Sequence, residues 1–339
     1  MKLNNGSERF VNIGFTSIGR RVELIRSFKN AYEELQLRGN IIGIDIDSLA
    51  PALRLADRRY LVPPFTSPDY IPALVDICVK EKIDALFPLI DPDIPLLAKH
   101  RALFKDKGTR VAVVNDEAVR ITSDKYLTTK FFERLNLPVP WSSLIDSTIL
   151  SDLSFPLFIK PRNGSAGKNA FKVRDANELS YLLNKVPDPI LQECLAGPEI
   201  TSDVICDLEG ELLAIVSRRR LEVRLGEVSK GVTIFDQRII DACAKIAREL
   251  PALGPITIQC MMKDGQPFFT EINARFGGGA PLGIAAGVNS PLWLLARIAG
   301  LRIEIPALGT YQKNLYMTRR DESFFLTEAD REDISGRYF

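Results

Sequence analysis

The stretch of sequence that decides the fold is residues 256–279, ITIQCMMKDGQPFFTEINARFGGG. It predicts two strands joined by a hairpin, and the second strand carries Glu271, Asn273 and Arg275 at a spacing of two. Side chains two apart on a strand share a face, about 6.5–7 Å from one another. A carboxylate, an amide and a guanidinium in a row indicate a binding site; the alternative is a solvated sheet face with an ion pair. The glycines at 277–279 favour the site, because they place free backbone amides at the start of a helix.

The length of the hairpin loop decides whether Gln259 on the first strand faces the same side. A two-residue loop, residues 264–265, would place Gln259 opposite Thr270 and facing away from Glu271. A three-residue loop, residues 264–266, would place Gln259 directly across from Glu271, because a slip of one residue reverses every side chain. We therefore predict a loop of three residues.

Composition excludes several classes of protein. The chain has 339 residues, of which 46% are hydrophobic and 26% charged, so disorder has no support. Lys plus Arg number 44 against 43 acidic residues, a net charge of +1, and nucleic-acid binders usually show a basic field. We find neither a signal peptide nor a long apolar run, and the five cysteines are scattered. We expect a cytoplasmic protein without nucleic-acid or membrane partners.

A single histidine, His100, restricts the mechanism. It lies in the apolar-periodic segment LLAKHRALF, where a residue of the helix surface is expected. Hydrolases that need a catalytic triad or two histidine metal ligands are disfavoured on this ground.

Residues 1–117 alternate short apolar runs with helical patterns, which predicts an open parallel α/β domain. Its first turn matches neither the dinucleotide fingerprint nor a Walker A loop, so a nicotinamide dehydrogenase is disfavoured. Two pairs of carboxylates follow strands of this domain, at the edge where such sheets bind ligands. The alternative is that they cap helices and turns. These pairs are Asp45 with Asp47, and Asp91 with Asp93.

Two lysines precede candidate anion sites. Lys125 falls in the first turn of a predicted helix, TSDKYLTTKFF, capped by Ser123 or Asp124, where a cation opposes the helix dipole unless an anion binds there. Lys160 ends an apolar strand in FPLFIKPRNGSAGKN, before a small-residue loop whose amides can form an anion-binding concavity. A solvated lysine and an ordinary hairpin loop are the alternatives.

Four segments, in this order, resemble the ATP-grasp superfamily, and within it one synthetase half of the carbamoyl-phosphate synthase large subunit. They are DKYLTTKFF, FPLFIKPRNGSAGKN, QECLAGPEITSDVICD and IQC with FFTEINAR. The resemblance implies an α/β (α+β) fold in which an N-terminal open parallel α/β pre-ATP-grasp domain precedes the two-subdomain ATP-grasp module. We expect the pre-ATP-grasp domain at 1–117, the lid subdomain at 118–190, the C-terminal subdomain at 191–310 and a tail at 311–339.

The resemblance also implies roles for particular residues. The residues that match ATP contacts are Lys125 and Lys160 on the phosphates, Gly164, Ser165, Ala166 and Gly167 in the phosphate loop, Glu193, Cys194 and Leu195 in the adenine hinge, and Glu199 on the ribose. The residues that match ligands of two Mg²⁺ ions, with Mn²⁺ as a substitute, are Gln259, Glu271 and Asn273. Arg275, with Lys160, matches the catalytic cations at the transferring phosphoryl group.

The implied activity is an ATP- and Mg²⁺-dependent ligase that activates a carboxylate or bicarbonate as an acyl phosphate and couples it to an amine. The amides at 277–279 and Arg275 are candidates for holding the acid, and Arg219, Arg220 and Lys230 either reach the cleft or are surface bases. The alternatives are a carbamoyl-phosphate synthase-like subunit and a nucleotide-binding regulatory protein without turnover. Small-molecule acids and amines are the expected partners, and a homodimer is allowed. The tail is expected to add an edge strand and a polar helix, or to contact a second subunit.

Overall fold

The computed structural model describes residues 10–145, 153–164, 167–224, 226–334 and 336–337. Two residues of the predicted phosphate loop, Ser165 and Ala166, therefore lie outside the described residues. Among the residues described, no helix combines the length and the apolar character that crossing a bilayer requires.

A parallel sheet forms the N-terminal part of the molecule, as predicted. Its first five strands are β1 (Ile13–Thr16), β2 (Ile41–Asp45), β3 (Arg58–Leu61), β4 (Ala85–Pro88) and β5 (Arg110–Val111), in the order β3-β2-β1-β4-β5. The helices are α1 (Val22–Glu34), α2 (Tyr70–Glu81), α3 (Asp93–Lys99) and α4 (Arg101–Asp106), with a 3₁₀ helix at Pro51–Leu55. Strands β1, β2 and β4 are buried along their whole length, which explains their unbroken apolar sequences.

A four-stranded antiparallel sheet follows, in the region where the lid subdomain is expected, and we call it the lid sheet. It consists of β6 (Ser142–Leu144), β7 (Leu157–Pro161), β8 (Phe171–Val173) and β9 (Pro189–Glu193), ordered β6-β9-β7-β8, with α7 (Ala176–Leu183) against it. Helices α5 (Asp116–Ser123) and α6 (Lys125–Arg134) precede it. The lid has a small core of its own, and β9 continues to Glu193, so the expected subdomain boundary at residue 190 falls inside a lid strand.

A six-stranded antiparallel sheet carries the opening stretch of sequence. Its strands are β10 (Glu199–Cys206), β11 (Leu212–Arg224), β12 (Glu227–Ile234), β13 (Pro255–Lys263), β14 (Gln266–Asn273) and β15 (Tyr316–Thr318), ordered β14-β13-β10-β11-β12-β15. Helices α8 (Gln237–Glu249), α9 (Ala280–Ala285) and α10 (Ser290–Ala299) belong to the same region. Helix α8 supplies seven buried residues, from Ile239 to Ala247, to the largest core cluster.

The tail provides edge strands for two different sheets. Strand β15 pairs with β12 of the antiparallel sheet, and β16 (Gly336–Arg337) pairs in parallel with β3 of the N-terminal sheet. The short helix α11 (Glu328–Glu332) lies between them. The predicted edge strand and polar helix are thus confirmed within the chain.

The prediction of a three-residue hairpin loop is wrong, but the pairing of Gln259 with Glu271 that it implied is confirmed. The turn has two residues, Asp264 and Gly265, both with positive φ (49° and 73°), and the pair beside it is Lys263 with Gln266. An Asp-Gly turn of this kind matches the twist of the strands that it joins. Gln259 nevertheless pairs with Glu271, because a β-bulge at Thr270 restores the register.

Candidate active site

The four-stranded lid sheet and the six-stranded sheet face each other across an open cleft of about 610 Å³. The predicted site residues that line it are Lys125, Lys160, Gly164, Gly167, Glu199, Gln259, Glu271, Asn273 and Arg275. These residues come from five separate parts of the chain. The hinge residues Glu193, Cys194 and Leu195 are not among those that line it. The cleft therefore unites the predicted phosphate and metal positions and leaves the hinge outside.

Three oxygen-bearing side chains form the floor of the cleft. Gln259 and Glu271 are directly opposite each other on β13 and β14, and Asn273 is two residues further on the same strand. Carboxylate and amide oxygens are the ligands that Mg²⁺ prefers in proteins, usually completed by phosphate oxygens and water. Within the described residues, no group of three or more His, Cys, Asp or Glu side chains offers a competing metal site. The donor set at this floor fits Mg²⁺.

Lys160 on β7 is a buried cation that faces this floor. Lys160 is only 8% exposed, and Glu271 is the carboxylate whose charge favours its ammonium. Burial lowers the pKa of Lys160 to about 8; Glu271 opposes this shift and Lys125 adds to it. Burial of this ammonium destabilises the folded chain at neutral pH, and an anion bound in the cleft would offset that cost.

Lys125 is fixed at the mouth of the cleft by a clamp that sequence analysis missed. Asp124 caps α6, as predicted, by accepting hydrogen bonds from the amides of Tyr126 and Leu127. Arg162, just after β7, donates to Asp124 with its Nη2 at 2.5 Å. The Lys125 ammonium donates to the Gly164 carbonyl at 2.6 Å. The clamp holds the start of the phosphate loop against α6; the signal for it was the arginine in KPRNG.

Arg275 links the floor of the cleft to the N-terminal domain. Its Nη2 lies 2.7 Å from Oδ2 of Asp91 and 3.4 Å from Oδ1 of Asn273, and its Nε is buried without a partner. Of the four N-terminal carboxylates, Asp91 is thus the one that reaches the cleft. Asp93 is instead fully buried and accepts from Thr16 and Ser17, and burial raises its pKa.

Two of the three glycines that follow Arg275, Gly277 and Gly279, pack over a buried ion pair. Arg218 donates to both carboxylate oxygens of Asp203, and both side chains are almost fully buried. A Cβ on Gly279 would lie 2.2 Å from Nε of Arg218. Glycine is therefore required for the chain to pass over the guanidinium before α9 begins at Ala280.

We expect Asp203→Ala to lower the free energy of unfolding by about 3–5 kcal/mol, because it leaves the Arg218 guanidinium buried without its counter-ion. Urea denaturation measures the change. Glu133→Ala, which breaks the exposed pair with Lys130 at 2.8 Å, is the control and should cost less than about 1 kcal/mol. Equal losses in the two variants would contradict the assignment of Asp203 as a structural counter-ion.

The remaining predicted residues divide between the cleft and the surface. Glu199 lines the cleft and accepts a hydrogen bond from Nη1 of Arg220 at 2.5 Å. Arg219 and Lys230 do not line it, and Lys230 pairs with Glu222 instead. Glu193, a predicted hinge residue, forms an ion pair with Lys263 at the end of β13. His100 lies at the junction of α3 and α4, bonded to the Leu96 carbonyl, and takes no part in the cleft.

Comparison with known proteins identifies the families that the two parts of the chain resemble. Residues 13–112 match the family model of the PylC-like N-terminal domain, and residues 185–320 match that of ATP-grasp in the biosynthetic pathway with Ter operon. Carbamoyl-phosphate synthase of Methanobrevibacter smithii is 26% identical over 292 residues, 80% of this chain and 76% of that protein. The carbamoyl phosphate synthase large chain of Deinococcus radiodurans is 26% identical over an alignment of 354 positions, gaps included, which covers 95% of this chain. The chain spans only 33% of that second relative.

The solved structures show the same fold. The biotin carboxylase domain of 2-oxoglutarate carboxylase from Hydrogenobacter thermophilus, solved with MgADP and bicarbonate, superposes with a TM-score of 0.71. It is 18% identical, and the match covers 90% of this chain and 73% of that one. The chain is therefore similar to the ATP-grasp superfamily, since residues 185–320 match one of its family models and the relatives cover most of the chain. Within it, the chain is similar to one synthetase half of carbamoyl-phosphate synthase, as its sequence indicated.

Proposed function

We propose that this protein is an ATP- and Mg²⁺-dependent carbon–nitrogen ligase that activates a carboxylate or bicarbonate as an acyl phosphate and couples it to an amine. The observation that carries the proposal is the convergence of Lys125, Lys160 and Arg275 on a floor of Glu271 and Asn273 in one cleft. Three cations above an oxygen-rich floor suit a triphosphate with its metal. Phosphoryl transfer needs this positioning and charge neutralisation, and little covalent help from the protein.

The reaction balances in two steps. An oxygen of the acid attacks the γ-phosphorus of ATP, the bond to the β-γ bridging oxygen breaks, and ADP leaves. The amine nitrogen then attacks the acyl carbon, the bond from that carbon to the phosphate oxygen breaks, and phosphate leaves while the nitrogen loses its extra proton. A histidine base is not needed for either transfer.

The side chains of the cleft divide the work. Lys160 and Lys125 bind phosphate oxygens, and Arg275, oriented by Asp91, neutralises charge at the transferring phosphoryl group. The amides at 277–279 and Arg275 hold the acid. We assign the ribose contact to Glu199, whose carboxylate would then exchange its hydrogen bond with Arg220 for the ribose hydroxyls or accept from both. We assign the adenine contact to the hinge residues.

Gln259, Glu271 and Asn273 would hold the magnesium ions, two by the resemblance, and Mn²⁺ is expected to substitute because it accepts the same oxygen ligands. When bound, the ions neutralise charge on the β- and γ-phosphates. The only charged member of the set is Glu271, so its carboxylate sets the affinity of the site.

Hydroxylamine trapping tests the proposal, because hydroxylamine converts acyl phosphates to stable hydroxamates. The assay combines ATP, Mg²⁺, hydroxylamine and a panel of acids: amino acids, dicarboxylates and short fatty acids, with bicarbonate followed by phosphate release. One acid should give hydroxamate and ADP in equal amounts. Release of AMP and pyrophosphate would contradict an acyl phosphate. If the protein binds ATP but turns it over with no acid, the alternative of a nucleotide-binding regulatory protein would be preferred. The assembled cleft argues against that alternative.

The affinity for MgADP should depend on pH through Lys160. At pH 7 its ammonium is charged and binds phosphate directly, whereas above its pKa of about 8 binding must first take up a proton. The dissociation constant should therefore rise above pH 8, approaching about tenfold per pH unit. Calorimetry from pH 7 to pH 9 measures this, with Lys160→Gln as a flat, weaker control. A flat profile for the unaltered protein would contradict the assignment.

Compartment and assembly complete the proposal. We propose a cytoplasmic enzyme, which is supported by five free cysteines and the lack of any disulfide among the described residues. The solved relative is described as a dimer, and a homodimer is the assembly that we propose to test by sedimentation.

A further inference from the structure

A second cavity of about 420 Å³ adjoins the cleft. The two cavities share a wall made by Arg21, Glu227 and the glycines at 277 and 278. Beyond this wall, the second cavity is lined by the first turn of α1 on one side and by tail residues from Thr318 to Phe324 on the other. Its volume lies in the range of about 300–1,000 Å³ that is usual for small-molecule sites.

The tail is held in place by backbone pairing rather than by chance contact. Thr318 at the end of β15 pairs with Lys230, and the Arg319 amide donates to the Ser229 carbonyl at 3.0 Å. The Arg319 guanidinium donates to the carbonyls of Val228 at 3.0 Å and Gly278 at 2.6 Å. These bonds hold the backbone that leads into Arg320 against β12 and Gly278.

The charges that line the second cavity are only partly neutralised. Arg21 pairs with Glu227 at 3.1 Å, Arg319 with Glu23 at 2.8 Å, and Arg26 with Glu322 at 2.8 Å. Arg20 and Arg320 make no ion pair within the described part of the chain. The carboxylates that offset them are Glu322, which interacts with Arg320 but is already paired with Arg26, and Asp321. The first turn of α1, which opens into the same space, has no side-chain cap. Two unpaired guanidinium groups beside an uncapped helix start favour a carboxylate.

A negatively charged side chain, Glu227, lies at the wall of the second cavity nearest the cleft. Glu227 lines both cavities, and its side chain is 40% exposed. Its carboxylate is held between Nη1 of Arg21 at 3.1 Å and Nη1 of Arg319 at 3.8 Å. A carboxylate fixed in this way presents an accepting group toward the cleft, where an ammonium group can bind.

We propose that the second cavity binds the amine co-substrate as an amino acid zwitterion, with its ammonium at Glu227 and its carboxylate between Arg20, Arg320 and the start of α1. This polarity is the one that the reaction requires, since the nitrogen faces the cleft and the carboxylate points away from it. The inference rests on the proposed function for its role as co-substrate site. It also gives the C-terminal tail a place in substrate binding.

Binding can be tested without turnover, so that failure of this inference and failure of the ligase proposal are distinguishable. Saturation-transfer NMR on the full chain with MgADP, using a mixture of the proteinogenic L-amino acids, should identify one or a few that bind. The amide of that amino acid and its deaminated analogue should both bind at least about tenfold more weakly, because each lacks one charge. Absence of transfer to every amino acid, or equal binding of the deaminated analogue, would overturn the proposal.

Variants locate the binding to this cavity. Arg20→Gln and Arg320→Gln, both at exposed positions, should each raise the dissociation constant of that amino acid roughly tenfold. Arg302→Gln is the matched control, because Arg302 is exposed, makes no described ion pair and lines neither cavity. In turnover, the cavity variants should lose more activity with the amino acid than with hydroxylamine. Equal effects in all three variants would overturn the assignment.

Discussion

Glu271→Gln should reduce ATP turnover by roughly 10³-fold or more, while the chain remains folded. The substitution keeps the size of the side chain and removes the only charge among the three proposed metal ligands. Gln259 and Asn273 supply neutral oxygens, which alone hold Mg²⁺ weakly. Phosphate release measures the effect on kcat, and thermal unfolding checks the fold.

Glu249→Gln is the control for this experiment, because Glu249 is exposed on α8, away from the cleft. It should leave both turnover and unfolding temperature unchanged. If excess Mg²⁺ or Mn²⁺ restores part of the activity of Glu271→Gln, the lesion lies in metal affinity, as we expect. Unchanged turnover in Glu271→Gln at ordinary Mg²⁺ would remove Glu271 from the metal site.

Lys160→Met should move function and stability in opposite directions. Loss of the ammonium should weaken MgADP binding by about 10–100-fold, since a charged partner of the phosphates is removed. The same change should raise the free energy of unfolding of the empty protein at pH 7 by about 1–3 kcal/mol. The reason is that burial lowers the pKa of Lys160 from 10.5 to about 8, so the charged form disfavours folding.

The pH dependence of stability supplies an independent readout. Between the folded pKa of about 8 and the unfolded value of 10.5, the unfolded chain binds the proton that the folded chain has released. The contribution of Lys160 to stability therefore rises with pH across this window, and the rise should disappear in Lys160→Met. Lys172→Met, at an exposed lysine on β8 of the same lid sheet, is the control. A loss of stability in Lys160→Met would contradict the conclusion that the buried ammonium of Lys160 destabilises the folded chain.

Much of the site was predictable because its residues follow the period of a strand. Glu271 and Asn273 lie on either side of buried Ile272 on β14, so one face carries both. The prediction that Arg275 continues the strand is wrong, because β14 ends at Asn273 and the Arg275 amide donates to the Asn273 carbonyl in a turn. The parallel N-terminal sheet was predictable for a similar reason, because buried strands between helices leave few other arrangements.

The hairpin shows where local rules stop. A two-residue Asp-Gly turn is what local chemistry prefers, and it forms. Nothing in the sequence between Gln259 and Glu271 predicts the bulge at Thr270, which brings these two residues opposite each other. A bulge depends on how the sheet twists and packs, which involves strands distant in the chain.

The sequence by itself determined the class of fold, the row of polar groups on β14 and the two lysines that face it. Only the tertiary structure decided which carboxylates serve the cleft, because Asp91 meets Arg275 across 184 positions of sequence while its neighbour Asp93 is buried. It likewise decided that the tail forms a wall of the second cavity. Periodicity encodes which way a side chain points along its own strand, whereas a contact between distant segments depends on the packing of whole sheets.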